Sequence, residues 1–220
     1  SKLKNSKDII SFSGQFKNEK NKKINTATKV LKLIRQNKLL INQNFKINIK
    51  KNIPHGSGLG SGSANAADLL NYFNSKMKLK LNKNELKKIA KKVGFDVPIN
   101  LEKKNTLLTG KKGQILRLKQ KFKLNLLVVY PNLICSTKKI FKKNRTVNSK
   151  KSLYLKSINN NKKLINFLKN DKNDLEKTAI KIYPKIKATI DYIRRQKGCY
   201  FSRITGSGSA CYGVFKSKKT

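Results

Sequence analysis

The 220-residue sequence predicts a two-domain protein of the α/β (α+β) class, and three observations carry that prediction. Short runs in which apolar and polar residues alternate are interspersed with stretches whose apolar residues recur at helical spacing. A glycine-rich loop leaves one of those strands and enters one of those helices. A polar stretch, residues 119–123, separates two halves that each hold enough periodic apolar residues for a core, so the domains are placed at 1–120 and 121–220.

In chain order, residues 8–13 read as a short strand, and Ala27, Val30, Leu31 and Ile34 then recur at helical spacing behind Asn25 as a cap. Phe45, Ile47 and Ile49 alternate with Lys46, Asn48 and Lys50, which makes a half-buried strand running toward Pro54. Ala66, Ala67, Leu69, Leu70 and Phe73 write one helix. Leu86, Ile89, Ala90 and Val93 write the next, with Asn82 and Glu85 as a capping box and Gly94 as the stop. Gly110 and Gly113 inside the apolar stretch 107–118 predict a hairpin. The second half opens with a buried strand at 124–130. Residues 159–163 read as a low-complexity loop. One helix runs through Leu175, Ala179 and Ile182 to Ile186, Ile190 and Ile193, and two strands, 200–204 and 212–215, close the chain around a second Gly/Ser loop.

With 53 Lys+Arg against 10 Asp+Glu, the net charge of +43 implies attraction to polyanions. Nearly all of the excess is lysine. Arginine occurs only at Arg35, Arg117, Arg145, Arg194, Arg195 and Arg203, and the forks and interleaved aromatics that grip bases are sparse. The charge therefore reads as a solvated basic surface, with nucleic acid an unlikely partner, and as a field that draws in phosphorylated small molecules. The longest apolar run, 124–130, falls far short of the ~20 residues of a membrane helix, and no signal core follows the lysine-rich start. Neither membrane nor export is expected, which places the protein in the cytoplasm. Three cysteines, Cys135, Cys199 and Cys211, suggest neither a disulfide framework nor a zinc site, and no metal-ligating cluster is predicted.

The segment Pro54, His55, Gly56, Ser57, Gly58, Leu59, Gly60, Ser61, Gly62, Ser63, Ala64 carries the chemistry. Its glycines let the backbone turn N–H groups inward, its hydroxyls add donors, and the helix that follows offers its positive end: an anion cradle. No Gly-Lys-Ser/Thr ends it, so it is not a Walker A loop, and Ser61 and Ser63 break the dinucleotide G-x-G-x-x-G register. Asp96, just past a helix end, reads alone either as an Asx turn before Val97-Pro98 or as a proton acceptor.

The loop resembles the ATP loop of the GHMP kinase superfamily. Residues 58–67, Gly-Leu-Gly-Ser-Gly-Ser-Ala-Asn-Ala-Ala, are similar to the Gly-Leu-Gly-Gly-Gly-Ser-Ser-Asn/Asp-Ala-Ala form of the 4-diphosphocytidyl-2-C-methyl-D-erythritol kinase family. Ser61 for Gly and Ala64 for Ser are the departures. Gly94-Phe95-Asp96-Val97-Pro98, Ser136-Thr137 through Phe141, Asn173-Asp174-Leu175-Glu176 and Thr205-Gly206-Ser207-Gly208-Ser209-Ala210-Cys211 resemble further family motifs, in the family's order.

The resemblance implies a ribosomal protein S5 domain 2-like N-terminal domain and a ferredoxin-like C-terminal domain. It implies ATP-dependent phosphorylation of the 2-hydroxyl of diphosphocytidyl-methylerythritol, in non-mevalonate isoprenoid biosynthesis, by a monomer or homodimer using ATP and Mg2+. Residues 54–64 would hold ATP, and Asp96 would activate or orient the hydroxyl. Thr137, Phe141, Gly206 and Gly208 would contact substrate, Phe141 by stacking on cytosine. For Phe141 a core position, and for Gly206 and Gly208 a plain tight hairpin, are the alternatives. Asn173–Glu176 reads as a helix cap, and His55 as a variable loop residue.

The family's opening Lys-x-Asn strand and Gly-Tyr-His segment have no counterpart here. The chain is therefore expected to be an N-terminally truncated form that also stops short at 216–220. It would carry an unpaired sheet edge and be nearly inactive as it stands. Rival expectations are another GHMP kinase, acting on homoserine, mevalonate or a sugar, and a basic nucleic-acid-binding protein with an S5-like fold.

Overall fold

The computed structural model describes residues 2–3, 7–17, 25–110, 113–144 and 158–218. They form two units: Ser1–Pro54 with Gly60–Leu118, and His55–Leu59 with Lys119–Thr220.

In the first unit Lys2–Leu3 (β1) and Ile9–Ser13 (β2) flank Asn44–Lys50 (β3), β1 antiparallel and β2 parallel to it. A parallel pair needs a crossover, and Thr26–Gln36 (α1) lies in it. Asn25 starts α1 with a reciprocal capping box, its side chain accepting from the Ala27 and Thr28 N–H groups. Val30, Leu31 and Ile34 face the core. There they meet Ala66, Ala67, Leu70 and Phe73 of Ser61–Lys76 (α2), and Ile89, Ala90 and Val93 of Lys83–Val93 (α3). Phe45 of β3 packs its ring 4.9 Å from Phe73. The α3 capping box at Asn82 and Glu85 forms as expected. Gly94 ends α3 in extended backbone, φ −175°, rather than the left-handed conformation that favours glycine at a stop. Thr106–Thr109 (β4) and Gln114–Arg117 (β5) make the hairpin. On the far side of the sheet β2 is paired on one edge only among the described residues.

The second unit is a three-stranded antiparallel sheet in the order Asn125–Val129 (β6), Cys211–Phe215 (β8), Cys199–Ile204 (β7). Its helices are Thr137–Lys143 (α4), Asn161–Asn170 (α5), Glu176–Ile182 (α6) and Lys185–Arg195 (α7). Ile186, Ile190 and Ile193 of α7 join Ile140, Ala179, Ile204 and Cys211 in its core.

Three expectations are corrected. The strand at 124–130 is not buried: Leu126, Leu127 and Val128 are 55%, 40% and 47% exposed, because α7 packs on β7 and β8 and β6 is an edge strand among the described residues. An apolar run signals a strand but not the layer that covers it. The helix through 175–193 is two helices, α6 and α7. Pro184 keeps Tyr183 out of helical backbone (φ −133°, ψ 80°) and begins α7. Residues 159–163 are not all loop, since Asn160 accepts from the Lys163 N–H (2.9 Å) and caps α5.

Candidate functional site

The glycine segment is divided between the units: Pro54 and Gly60–Ala64 belong to the first, His55–Leu59 to the second. Gly60 is the N-cap of α2, in left-handed backbone (φ 68°) and without a side chain to accept from the helix. The Ala64 N–H already bonds the Gly60 carbonyl (3.0 Å). The first-turn N–H groups of Ser61, Gly62 and Ser63 are thus left with no capping side chain, and no acidic residue stands in that turn. A 16-residue helix opening this way presents donors and a positive dipole end to an anion.

In the same unit, Asp96 stands at the head of the turn that follows α3. Val97 is 1% exposed and sits in the core with the apolar face of α2. Pro98–Leu101 is a single 3-10 turn, held by Arg117, which donates to the Pro98 and Ile99 carbonyls at 3.0 and 2.7 Å. Asn71 of α2 donates to the Leu101 carbonyl (3.0 Å). This frame leaves Asp96 exposed, and Asn100 takes its backbone carbonyl (2.9 Å), not its carboxylate. An Asx turn would need an N–H two residues on, where Pro98 has none.

In the second unit, residues 55–59 lie against the loop that joins β7 to β8. The Ser209 N–H donates to the Gly56 carbonyl (3.3 Å) and the Ala210 N–H to that of Ser57 (2.9 Å). The Thr205 hydroxyl donates to the Gly58 carbonyl (3.1 Å). Contact is so close that a Cβ on Gly58 (φ 76°) would sit 2.2 Å from the Thr205 carbonyl oxygen and 2.9 Å from that of Gly208. Only glycine fits there. Gly206 and Gly208 are left-handed as well, φ 55° and 81°. They belong to a turn closed by the Gly208 N–H on Thr205 and the Thr205 N–H on Ala210. The loop is therefore more than a tight hairpin, because it is also the bed of the 55–59 segment.

Thr137 opens α4 behind the Ser136 cap, and its hydroxyl is hydrogen-bonded to that of Ser207 (2.9 Å). Thr137 is thereby brought to the same loop as Gly206 and Gly208. Phe141, one turn further, is 58% exposed and so is not a core aromatic. His55 is exposed. Ser207 and Thr205 fall inside a motif legible in the sequence, but only the fold shows what their hydroxyls reach.

Asn173–Glu176 opens α6 in part as expected: Glu176 puts acidic charge in the first turn, and Asn173 Oδ1 accepts from the Leu175 N–H (3.0 Å) just ahead of it. The N-cap is Leu175, without a side-chain bond. Asn173 also donates to the Gly206 and Ile204 carbonyls, and Glu176 accepts from the Ile204 N–H. Behind the loop, burial pushes the Cys211 thiol up to about 12, with the Glu176 carboxylate and Cys135 adding to the rise. Burial also pushes Cys135 up. Both are neutral packing groups, not nucleophiles. The cysteines are unpaired, and among the described residues no helix is long and apolar enough to cross a membrane.

Residues 25–102 match the GHMP kinases N terminal domain and residues 149–220 the GHMP kinases C terminal domain. A solved 4-(cytidine 5'-diphospho)-2C-methyl-D-erythritol kinase superposes with a TM-score of 0.70 at 22% identity, over 96% of this chain and 75% of that one. A homoserine kinase from Cytophaga hutchinsonii superposes with a TM-score of 0.62 at 16% identity, over 99% and 75%. The fold is that of the GHMP kinases. Two curated relatives narrow this. The 4-diphosphocytidyl-2-C-methyl-D-erythritol kinase of Pelagibacter ubique is 40% identical over 211 residues, 96% of this chain and 73% of that protein. The protein of the same name from Wolbachia pipientis wMel is 32% identical over 202 residues, 90% and 68%. The chain belongs to the 4-diphosphocytidyl-2-C-methyl-D-erythritol kinase family.

Proposed function

We propose that the protein transfers the γ-phosphoryl group of ATP to the 2-hydroxyl of 4-diphosphocytidyl-2-C-methyl-D-erythritol, a step of isoprenoid biosynthesis by the non-mevalonate route. The observation that carries this reading is the 40% identity, over 96% of the chain, to a kinase named for that substrate.

Phosphoryl transfer asks little covalent chemistry of a protein and much positioning. The uncapped amides of Ser61, Gly62 and Ser63 at the head of α2 receive phosphate oxygens, and residues 55–59 of the other unit, with left-handed turns at Gly56 and Gly58, offer ATP further backbone donors. Mg2+ takes few protein ligands and is carried largely by phosphates. The first turn of α2, with serine hydroxyls and amides and no carboxylate, suits the anion rather than a bare cation, so Mg2+ would be held by the phosphates of ATP and would supply neutralisation of the γ-phosphoryl charge. The exposed Asp96 carboxylate accepts the hydroxyl proton or orients the hydroxyl. Thr137, Gly206 and Gly208 line the substrate side, and Phe141 offers a free aromatic face to the cytosine ring. The charge of +43 raises the local concentration of both anionic reactants.

A coupled ADP-release screen tests the reading, with the protein expressed from its whole reading frame and offered diphosphocytidyl-methylerythritol, homoserine, mevalonate and galactose in turn. Turnover is expected with the first alone. Preferential turnover of any other overturns it.

A further inference from the structure

Ile204 is the last residue of β7, which among the described residues is an edge strand paired only with β8. The backbone of an edge strand needs partners from elsewhere, and at Ile204 two side chains from the start of α6 supply them. Asn173 Nδ2 donates to the Ile204 carbonyl (3.2 Å) and to the Gly206 carbonyl (2.7 Å), while its Oδ1 accepts from the Leu175 N–H (3.0 Å). Glu176 Oε2 accepts from the Ile204 N–H (2.9 Å). Asn173 thus uses both ends of its carboxamide, and the two residues satisfy both polar groups of Ile204.

The pinned stretch is the bed of residues 55–59. Immediately after Ile204 come the Thr205 hydroxyl on Gly58 and, across the turn, the Ser209 and Ala210 amides on Gly56 and Ser57. The close approach of Thr205 and Gly208 to Gly58 leaves the segment no room to shift alone. Loosening at Ile204–Gly206 therefore passes directly into 56–58.

We infer that Asn173 and Glu176 are positioning residues that hold the 55–59 half of the phosphate cradle in its working shape through the 204–210 loop. The inference rests on the reading of residues 54–64 as the ATP loop. Neither side chain touches a reactant; each acts through the loop. Losing the two Asn173 donations, or the one charge-assisted bond to Glu176, lowers the population of the ordered loop by about tenfold. A loop that must be re-formed on binding raises the apparent KM by that factor, whereas saturating ATP restores the ordered form and with it kcat. A general loss of folded protein does the reverse, lowering kcat at constant KM.

The test, in the protein expressed from its whole reading frame, uses Asn173→Asp, which keeps the acceptor toward Leu175 and removes both donations. It pairs Glu176→Ala with the near-isosteric Glu176→Gln, which keeps an acceptor for Ile204. Hydrogen exchange of the Ser209 and Ala210 amides in the nucleotide-free protein should accelerate about tenfold in Asn173→Asp and Glu176→Ala, and return to the parental rate in Glu176→Gln. KM for ATP should follow the same pattern, with kcat within about twofold of the parent. Unchanged exchange in the first two variants overturns the clamp and leaves the ATP loop untouched. Faster exchange with an unchanged KM for ATP overturns the positioning role by removing residues 55–59 from the ATP site. A fall in kcat without a rise in KM overturns it in favour of plain destabilisation.

Discussion

Replacing Gly58 by alanine tests the interlocked loops at their tightest point. The residue has φ +76°, and left-handed backbone costs an alanine about 1 kcal/mol. The added Cβ would lie 2.2 Å from the Thr205 carbonyl oxygen, so the loops must part by about 1 Å to reach ordinary contact. That movement breaks the Thr205 hydroxyl bond to Gly58 and the Ser209 and Ala210 amide bonds to Gly56 and Ser57, at 3.1, 3.3 and 2.9 Å. At about 1 kcal/mol each, the whole perturbation amounts to about 4 kcal/mol against the ordered loop. ATP affinity, measured by isothermal titration, should fall at least about a hundredfold. Gly110→Ala is the matched control. It has φ +67° with nothing within 4 Å of its Cβ position, so it costs about 1 kcal/mol of stability and leaves ATP affinity unchanged. A Gly58→Ala protein that binds ATP within threefold of its parent refutes the reasoning.

Other consequences can be measured separately. Asp96→Asn should cut kcat by about 10²–10⁴ with KM for ATP and the melting temperature unchanged; a loss under fivefold in steady-state kinetics contradicts a role in proton handling. Phe141→Ala, at a 58% exposed position, should leave stability alone and raise KM for the cytidine-bearing alcohol by about tenfold, and an unchanged KM removes the stacking role. Burial alone would push the Asp8 carboxyl up, but the Arg35 guanidinium, which donates to both its oxygens, and the Phe45 N–H outweigh this and hold it below the usual carboxylate range. A carboxyl with a lowered folded-state pKa contributes stability that is complete above its unfolded value and disappears as pH falls through the folded one. Denaturant midpoints should therefore fall from neutral pH into the acid range less steeply in Asp8→Asn than in the parent; parallel curves contradict the assignment. The steering attributed to the +43 charge predicts a kcat/KM for ATP that declines as salt rises, and a salt-independent value contradicts it.

Much of this molecule is written in local patterns. Alternation at Phe45, Ile47 and Ile49 and the caps at Asn25 and Asn82 are decided within a few residues, and they form where periodicity places them. The glycine segment announces an anion cradle for the same reason: its backbone freedom is a property of its own residues. What sequence could not convey is long-range. Leu126, Leu127 and Val128 look like core until the strand order puts them on an edge. Asn173 and Glu176 look like a helix cap, and Asn173 does accept from the Leu175 N–H, but their other bonds run to Ile204 and Gly206, about 30 positions away. Pro184 marks the break between α6 and α7, but the isoleucine spacing through 182–193 continues across it and masks it.

Titration of the isotope-labelled protein with Mg-ATP, followed by amide NMR, tests the central claim most directly. The largest shifts should cluster at residues 56–64, with the amides of Ser61, Gly62 and Ser63 foremost, and they should vanish in Gly58→Ala. Saturation of the protein with nucleotide while those amides stay unmoved would contradict the account.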